Sequence, residues 1–321
     1  MLRAIRRKVI TPNVSATRLD VRGFPEKNPA ARDLLETVGR SFLTGYAYAA
    51  EARDPSEAEE RLEGIEQRFR GFAYEGAAMA LAVLDALPVG RSDRVVRFLE
   101  GRGAAHHYMV YVGVGWAMAR VPRFTWSKLH APDPLLRWLV LDGYGFHQAY
   151  FHTRKYVHEQ FEEAHFPWPG GAEGWYARHA IDQGIGRAMW FVGGTDADLV
   201  ADLIDRFPER RRADMYSGAG LAATYAGGAD EEELKRFTDR AGEYRGQLAQ
   251  GSAFAAEARI RAGLLGPHTE LATSVIWGTT AAEAAEISSA VRPADVVPGR
   301  LPAWEVWRRR IADEFVTLGR S

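Results

Sequence analysis

The chain has no cysteine among its 321 residues. It can therefore hold no disulfide, thiolate metal cluster, thioether-linked haem or cysteine nucleophile. It also lacks an excess of either sign of charge, with 41 Lys and Arg against 42 Asp and Glu, a formal balance of -1. No basic excess draws it toward a polyanion, so no nucleic-acid partner is expected. Long apolar runs are missing as well. The nearest, Tyr108 to Val121, includes Arg120, Gly113 and Gly115 and is too short to cross a bilayer. The basic start MLRAIRRKVI is followed by TPNVSATRLD rather than by the apolar core of a signal peptide, and a cytoplasmic location is expected. Leu2, Ile5, Val9 and Ile10 alternate there with Arg3, Arg6, Arg7 and Lys8, a pattern suited to a membrane surface or a membrane-protein partner. There is no GxxxxGK[ST] phosphate loop, no GxSxG nucleophile elbow and no succession of strand-like segments.

What is present is helix. Pro12, Gly23, Pro25 and Pro29 mark residues 1–30 as an irregular N-terminal arm. From Ala31 onward Leu34, Leu35, Val38, Phe42, Leu43 and Tyr46 recur at three-and-four spacing. Ser56, with Glu57, Glu59 and Glu60 in the first turn, opens a helical pattern that runs to Leu87. Further patterns cover about 91–121, 134–163, 172–194, 196–206, 209–228, 230–246, 248–265, 280–290 and 302–318, which makes residues 31–321 one all-α domain.

A repeat runs through these helices, written in glycine and alanine. Its copies are YEGAAMA (74–80), GVGWAMA (113–119), GYGFHQA (143–149), GIGRAMW (184–190), GAGLAAT (218–224) and GSAFAAE (251–257). Taking the third residue as anchor gives 76, 115, 145, 186, 220 and 253, intervals of 39, 30, 41, 34 and 33 that suit arrays of helix pairs. Glycine within a helix costs about 1 kcal/mol relative to alanine, so its recurrence in one register points to close helix–helix approach. The expected fold is a TPR-like α-α superhelix of stacked helix pairs, with a closed α/α toroid as the alternative. A dinucleotide reading of the Gly-x-Gly pairs fails, since no strand precedes them and Met118, Gln148 and Met189 stand where that fingerprint needs a small residue.

Residues that break the repeat carry the functional signal. Two positions past the anchor, His147 stands among five alanines, and one position past it Arg187 is the charged exception. One position before it, Glu75 stands alone as an acid. Three positions before it Asp142, Gln183, Ser217 and Gln250 are polar, and N-caps of the inner helices are at least as good a reading of that column as catalysis. Glu75, Asp142, His147 and Arg187 thus form a candidate catalytic cluster, with Tyr74, Trp116, Tyr144, Phe146, Tyr150, Trp190 and Tyr216 as candidate substrate-binding aromatics. A purely structural ion pair of Arg187 with Glu75 or Asp142 explains the charges equally well. The functional alternative is an aromatic-lined groove holding a flat apolar molecule beside an acid, a base and a cation.

Other features carry less. His106 and His107 are adjacent and point apart on a helix, and His158 with Glu162 is an ordinary wet i, i+4 pair, so no metal is expected. The arginine runs at 210–212 and 308–310 read as solvated faces or partner contacts. Phe166 to Gly171 reads as a linking turn.

The strings RGFAYEGAAMALAVLDAL (70–87), GWAMARVP (115–122), DGYGFHQAYF (142–151), GIGRAMWFVGG (184–194), MYSGAGLAATYAGG (215–228), SAFAAEARIRAG (252–263) and AWEVWRRRIADEF (303–315) together resemble the UnbL-type family. The resemblance covers about residues 30 to 318. Genes of that family accompany enediyne polyketide synthases in actinomycetes, and no catalytic residue carries over from it. The resemblance implies an accessory role in enediyne natural-product biosynthesis, on or around a linear polyene intermediate, alongside other proteins of the cassette including a membrane protein. Three roles follow from it: an enzyme subunit using Glu75, Asp142 and His147 as acid/base groups with Arg187 holding an anion, a carrier of the polyene, or a helical scaffold for a membrane-associated complex. No cofactor is expected, so electrons for any redox step would come from a partner.

Overall fold

The computed structural model describes residues 3, 7, 10–87, 92–169, 171, 173–295 and 301–319. The alternating pattern of residues 1–10 lies largely outside the described residues. Several helix starts are set by a side chain that answers the free amides of the first turn. Asn28 accepts from Ala31 N at the head of α1 (Pro29–Glu51), where Pro29 needs no N–H partner. Asp54 does the same for α2 (Pro55–Leu62). The expected helix from Ser56 to Leu87 is thus two helices: its cap is Asp54, and the chain turns at residues 63–66 before α3 (Gln67–Ala86). Likewise the 91–121 pattern divides into α4 (Arg94–Glu100) and α5 (His107–Met118) around Gly101 and Gly103.

The remaining helices are α6 (Trp138–Phe151), α7 (Ala177–Val192), α8 (Ala197–Asp205), α9 (Glu209–Ala226), α10 (Glu231–Ala241), α11 (Arg245–Arg261), α12 (Pro267–Trp277), α13 (Ala281–Ala290) and α14 (Ala303–Thr317). There is no strand among the described residues. Before α1, a 3₁₀ turn Val14–Thr17 and a one-turn helix Leu19–Arg22 lead into Gly23 in the left-handed conformation, with Leu19 and Phe24 buried.

Helices α1, α3, α5, α6, α7, α9 and α11 form an inner row in which each packs on the next, and α8, α10 and α12 form part of an outer row. The repeat glycines are the points where the inner helices touch. In α5, a Cβ on Gly113 would overlap the Glu75 carbonyl of α3, and one on Gly115 the Val140 carbonyl of α6. In α7, Gly184 meets the Asp142 carbonyl of α6 and Gly186 the Met215 carbonyl of α9. Gly143, Gly145, Gly218 and Gly220 repeat the scheme: the first glycine of each pair faces the preceding inner helix and the second the following one. Backbone contact at this separation leaves no room for any side chain.

The protein is an α-helical superhelix of stacked helices, as the repeat predicts. Its turn brings the start of α3 onto the end of α11, where Gln67 Nε2 donates to Gly263 O at 2.7 Å and Arg259 Nη1 donates to Arg68 O at 2.9 Å. The C-terminal α14 is clamped by buried Arg308, whose Nη1 donates to Asp214 at 2.7 Å and to the Tyr176 hydroxyl at 2.8 Å.

The polar column three positions before the anchor does not cap helices. Asp142, Gln183, Ser217 and Gln250 lie inside α6, α7, α9 and α11, whose first turns come four or more residues earlier. There they bridge neighbouring helices instead. Gln183 Nε2 donates to Asp142 Oδ2 at 3.0 Å, and the Ser217 hydroxyl donates to Gln250 Oε1 at 2.7 Å. Each is buried, so a polar side chain needs a partner on the facing helix.

Candidate functional site

The inner helices enclose a cleft, and the repeat register decides what faces it. Residues one and five positions past the anchor lie one helical turn apart and share a face. In four successive copies both line the cleft: Trp116 and Arg120, Phe146 and Tyr150, Arg187 and Phe191, Leu221 and Tyr225. Helix α1 adds Leu35, Val38 and Phe42, and α3 adds Phe72, Glu75 and Met79. Pro12, Ala16 and Thr17 of the N-terminal segment lie at its edge. The cleft contains about 870 Å³ of atom-free space, including what is open at the mouth, and is narrow throughout. Phe42, Trp116 and Phe146 form a run of tilted rings with centroids 4.5 and 5.1 Å apart. A smaller apolar cavity between α5, α6, α9, α11 and α14 shares Arg187, Leu221 and Tyr225 with the main one.

A belt of charge lies where the two cavities meet. Arg187 Nε stands 2.8 Å from Asp142 Oδ1, an ionic contact without well-directed hydrogen-bond geometry. Arg187 Nη2 stands 4.0 Å from Glu75 Oε1, and the guanidinium carbon lies 5.0 Å from the Phe146 ring centroid. All three charged residues are more than nine-tenths buried. Burial pushes the Glu75 carboxyl up to about 7, against the lowering effect of Arg187 and with Asp142 raising it further. Burial also raises Asp142, opposed chiefly by Arg187 and by the Gln183 hydrogen bond. The sum is a fixed ion pair beside a carboxyl that exchanges its proton near neutral pH.

Several polar atoms in the cleft make no well-directed hydrogen bond. They are Trp116 Nε1, both His147 nitrogens, Arg187 Nη2 and the Tyr225 hydroxyl. The Trp116 indole approaches Glu75 closely enough to lower its pKa slightly while remaining outside hydrogen-bond geometry. His147 is edge-on to Trp116 and packs on Phe151, and its desolvation lowers it to about 3. At neutral pH it is therefore an uncharged imidazole and a weak base.

The structure brings Glu75, Asp142 and Arg187 into contact and places His147, Trp116, Phe146 and Tyr150 around the same cleft. The other candidate aromatics face elsewhere. Tyr74 donates to Glu63 at 2.7 Å and stacks on His106 at 3.7 Å between ring centroids. Tyr144 accepts from Gln148 at 2.8 Å and packs against Trp126 and Phe166. Trp190 donates to Gly227 O at 2.9 Å, and Tyr216 donates to Asp205 at 2.9 Å. These four side chains tie inner helices to their surroundings: Tyr74 and Trp190 each adjoin a cleft-facing residue, Glu75 and Phe191, and are turned about 100° from it, while Tyr144 stands two residues before Phe146 and Tyr216 five before Leu221.

Sequence reasoning missed Tyr225, Phe191 and Arg120, although all three sit five positions past an anchor like the predicted Tyr150. It also missed Leu35, Val38 and Phe42, because α1 lies outside the six copies. Phe166 packs on Trp126 at 5.3 Å and does not line the cleft. Among the described residues no three His, Asp or Glu side chains gather as metal ligands, and no helix is long and apolar enough to cross a membrane.

Residues 1–315 match a family model described as "Protein of unknown function (DUF1702)". No curated protein and no solved structure matches the chain.

Proposed function

The chain belongs to the DUF1702 family of proteins of unknown function, and on that premise we propose that it binds an elongated, flat and largely apolar molecule in its central cleft. The observation that carries this reading is the stripe one and five positions past four of the six anchors, which directs side chains from four successive inner helices into one narrow, aromatic-walled space. Buried donors without a well-directed hydrogen bond at Trp116, Arg187 and Tyr225 line the same cleft, where a polar group of a bound molecule would serve them.

The resemblance to proteins encoded beside enediyne polyketide synthases supplies the class of ligand. In this reading the occupant is a linear polyene intermediate, and the protein serves enediyne-core formation together with partner proteins of the cassette. A conjugated polyene is long, planar and poor in hydrogen-bonding groups, which suits a trough walled by Phe42, Trp116, Phe146 and Tyr150. Arg187 and Asp142 hold the floor of the site rigid, and Glu75 is the group able to give or take a proton there.

The test is a titration of the purified protein with a linear conjugated polyene, followed by absorbance and by mass spectrometry of the extract. Stoichiometric, saturable uptake with a shifted absorption band supports the reading. Chemical change of the added polyene would make the same site catalytic and send attention to Glu75. No uptake in the presence of intact fold would contradict it and leave a scaffold role.

A further inference from the structure

Resting on that reading of the cleft, we propose that the belt formed by Glu75, Arg187, Trp116 and Tyr225 recognises a neutral carbonyl oxygen on the bound molecule. A pure hydrocarbon would satisfy none of the groups there. Trp116 Nε1 and Arg187 Nη2 can only donate, the Tyr225 hydroxyl can donate, and none of the three makes a well-directed hydrogen bond, although Trp116 and Arg187 both face the Glu75 carboxyl. All lie on residues at least nine-tenths buried, where an unmade hydrogen bond is costly. All three line the one cleft, where an acceptor on a bound molecule would serve them.

The spacing is that of a bridge. Arg187 Nη2 and Glu75 Oε1 are 4.0 Å apart, too far for a direct hydrogen bond. One oxygen about 2.8 Å from both would see them about 90° apart, within reach of two lone pairs on a carbonyl after small adjustments. Arg187 would donate from one side and a protonated Glu75 from the other.

Charge selects against an ionised ligand. Arg187 is already faced by two carboxylates, Asp142 at 2.8 Å and Glu75 at 4.0 Å. A ligand carboxylate would be a second anion on a cation already paired with Asp142, and a third once Glu75 loses its proton, and like charges in a dry site disfavour one another. A carbonyl adds no charge and needs only that Glu75 keep its proton. The Glu75 carboxyl, held at about 7, can do so near neutral pH. The other titratable or charged groups facing it are Asp142, Arg187 and Tyr225, with His147 and Arg120 elsewhere in the same cleft.

The experiment compares a linear conjugated ketone with the hydrocarbon, alcohol and carboxylic acid of the same chain length, titrated into the full chain from acid to alkaline pH. The ketone should bind about tenfold more tightly than the hydrocarbon, the equivalent of one well-made buried hydrogen bond. Its affinity should fall as pH rises through about 7, and Glu75→Gln, whose amide donates at every pH, should bind it without that fall. Tyr225→Phe and Trp116→Phe, which remove single donors and leave the charges in place, should each narrow the ketone's advantage. Equal binding of ketone and hydrocarbon would overturn the inference while leaving the cleft reading intact. Preference for the acid or the alcohol, or a pH dependence that persists in Glu75→Gln, would also overturn it. Failure of all four probes to bind a folded protein would overturn the cleft reading itself.

Discussion

Arg187 reaches Asp142 at 2.8 Å and stops 4.0 Å short of Glu75, although Glu75 is as deeply buried as its neighbour. One cation between two acids, only one of them closely paired, places a mobile proton on Glu75. It also places beside that proton the Arg187–Asp142 ion pair, the structural arrangement open from sequence.

Removing the cation should be costly. Arg187→Met leaves Asp142 and Glu75 buried without a counter-charge, a change of about 3–5 kcal/mol in stability. The double variant Arg187→Met with Asp142→Asn should recover part of that loss, because the buried carboxylate goes with its partner. Urea midpoints at unchanged m-value measure both. Equal stability of the single variant and the wild type would contradict the pairing.

Glu75 should make stability depend on pH with a definite sign. Its carboxyl titrates at about 7 in the folded chain against 4.5 for the free group, so the folded state favours the protonated form. Its contribution is fully present below about 4.5 and is lost as pH rises through about 7. Melting temperatures of the wild type and Glu75→Gln, compared in mildly acid and mildly alkaline buffer, should show the variant gaining on the wild type as pH rises. A constant difference would place the Glu75 pKa outside that window.

How far the sequence carried depended on what each residue had to do. The glycines of the repeat were legible because backbone contact, as between Gly184 and the Asp142 carbonyl, admits no other residue. Trp190 and Tyr216 could not be told from Phe146 and Tyr150, because helices such as α5, buried at every position but Tyr108, have no solvent face to orient them. Asp142 and Gln183 were open to reading as caps because a polar residue ahead of an apolar stretch looks alike at a helix start and at a helix–helix bridge. The break between α2 and α3 was hidden because the only glycine there, Gly64, stands inside an otherwise helical composition.

The glycines supply a test of the fold with its own control. Gly184→Ala forces a methyl into the Asp142 carbonyl and should cost about 1–3 kcal/mol through displaced helices. A Cβ on Gly174 meets nothing within 4 Å, so Gly174→Ala should be neutral or stabilising by up to about 1 kcal/mol. Thermal denaturation of the pair decides whether glycine holds these helices together by close approach.

The most direct test of the central claim fills the cleft. Leu221 is partly buried and lines both the main cavity and the smaller one, so Leu221→Trp places an indole where the ligand would lie while leaving Glu75, Asp142 and Arg187 themselves unchanged. Titration of wild type and Leu221→Trp with a linear conjugated polyene, alongside circular dichroism and melting, reads binding and fold together. The account predicts saturable binding by the wild type and at least about tenfold weaker binding by a folded Leu221→Trp. Undiminished binding by the variant would contradict it and place the polyene elsewhere.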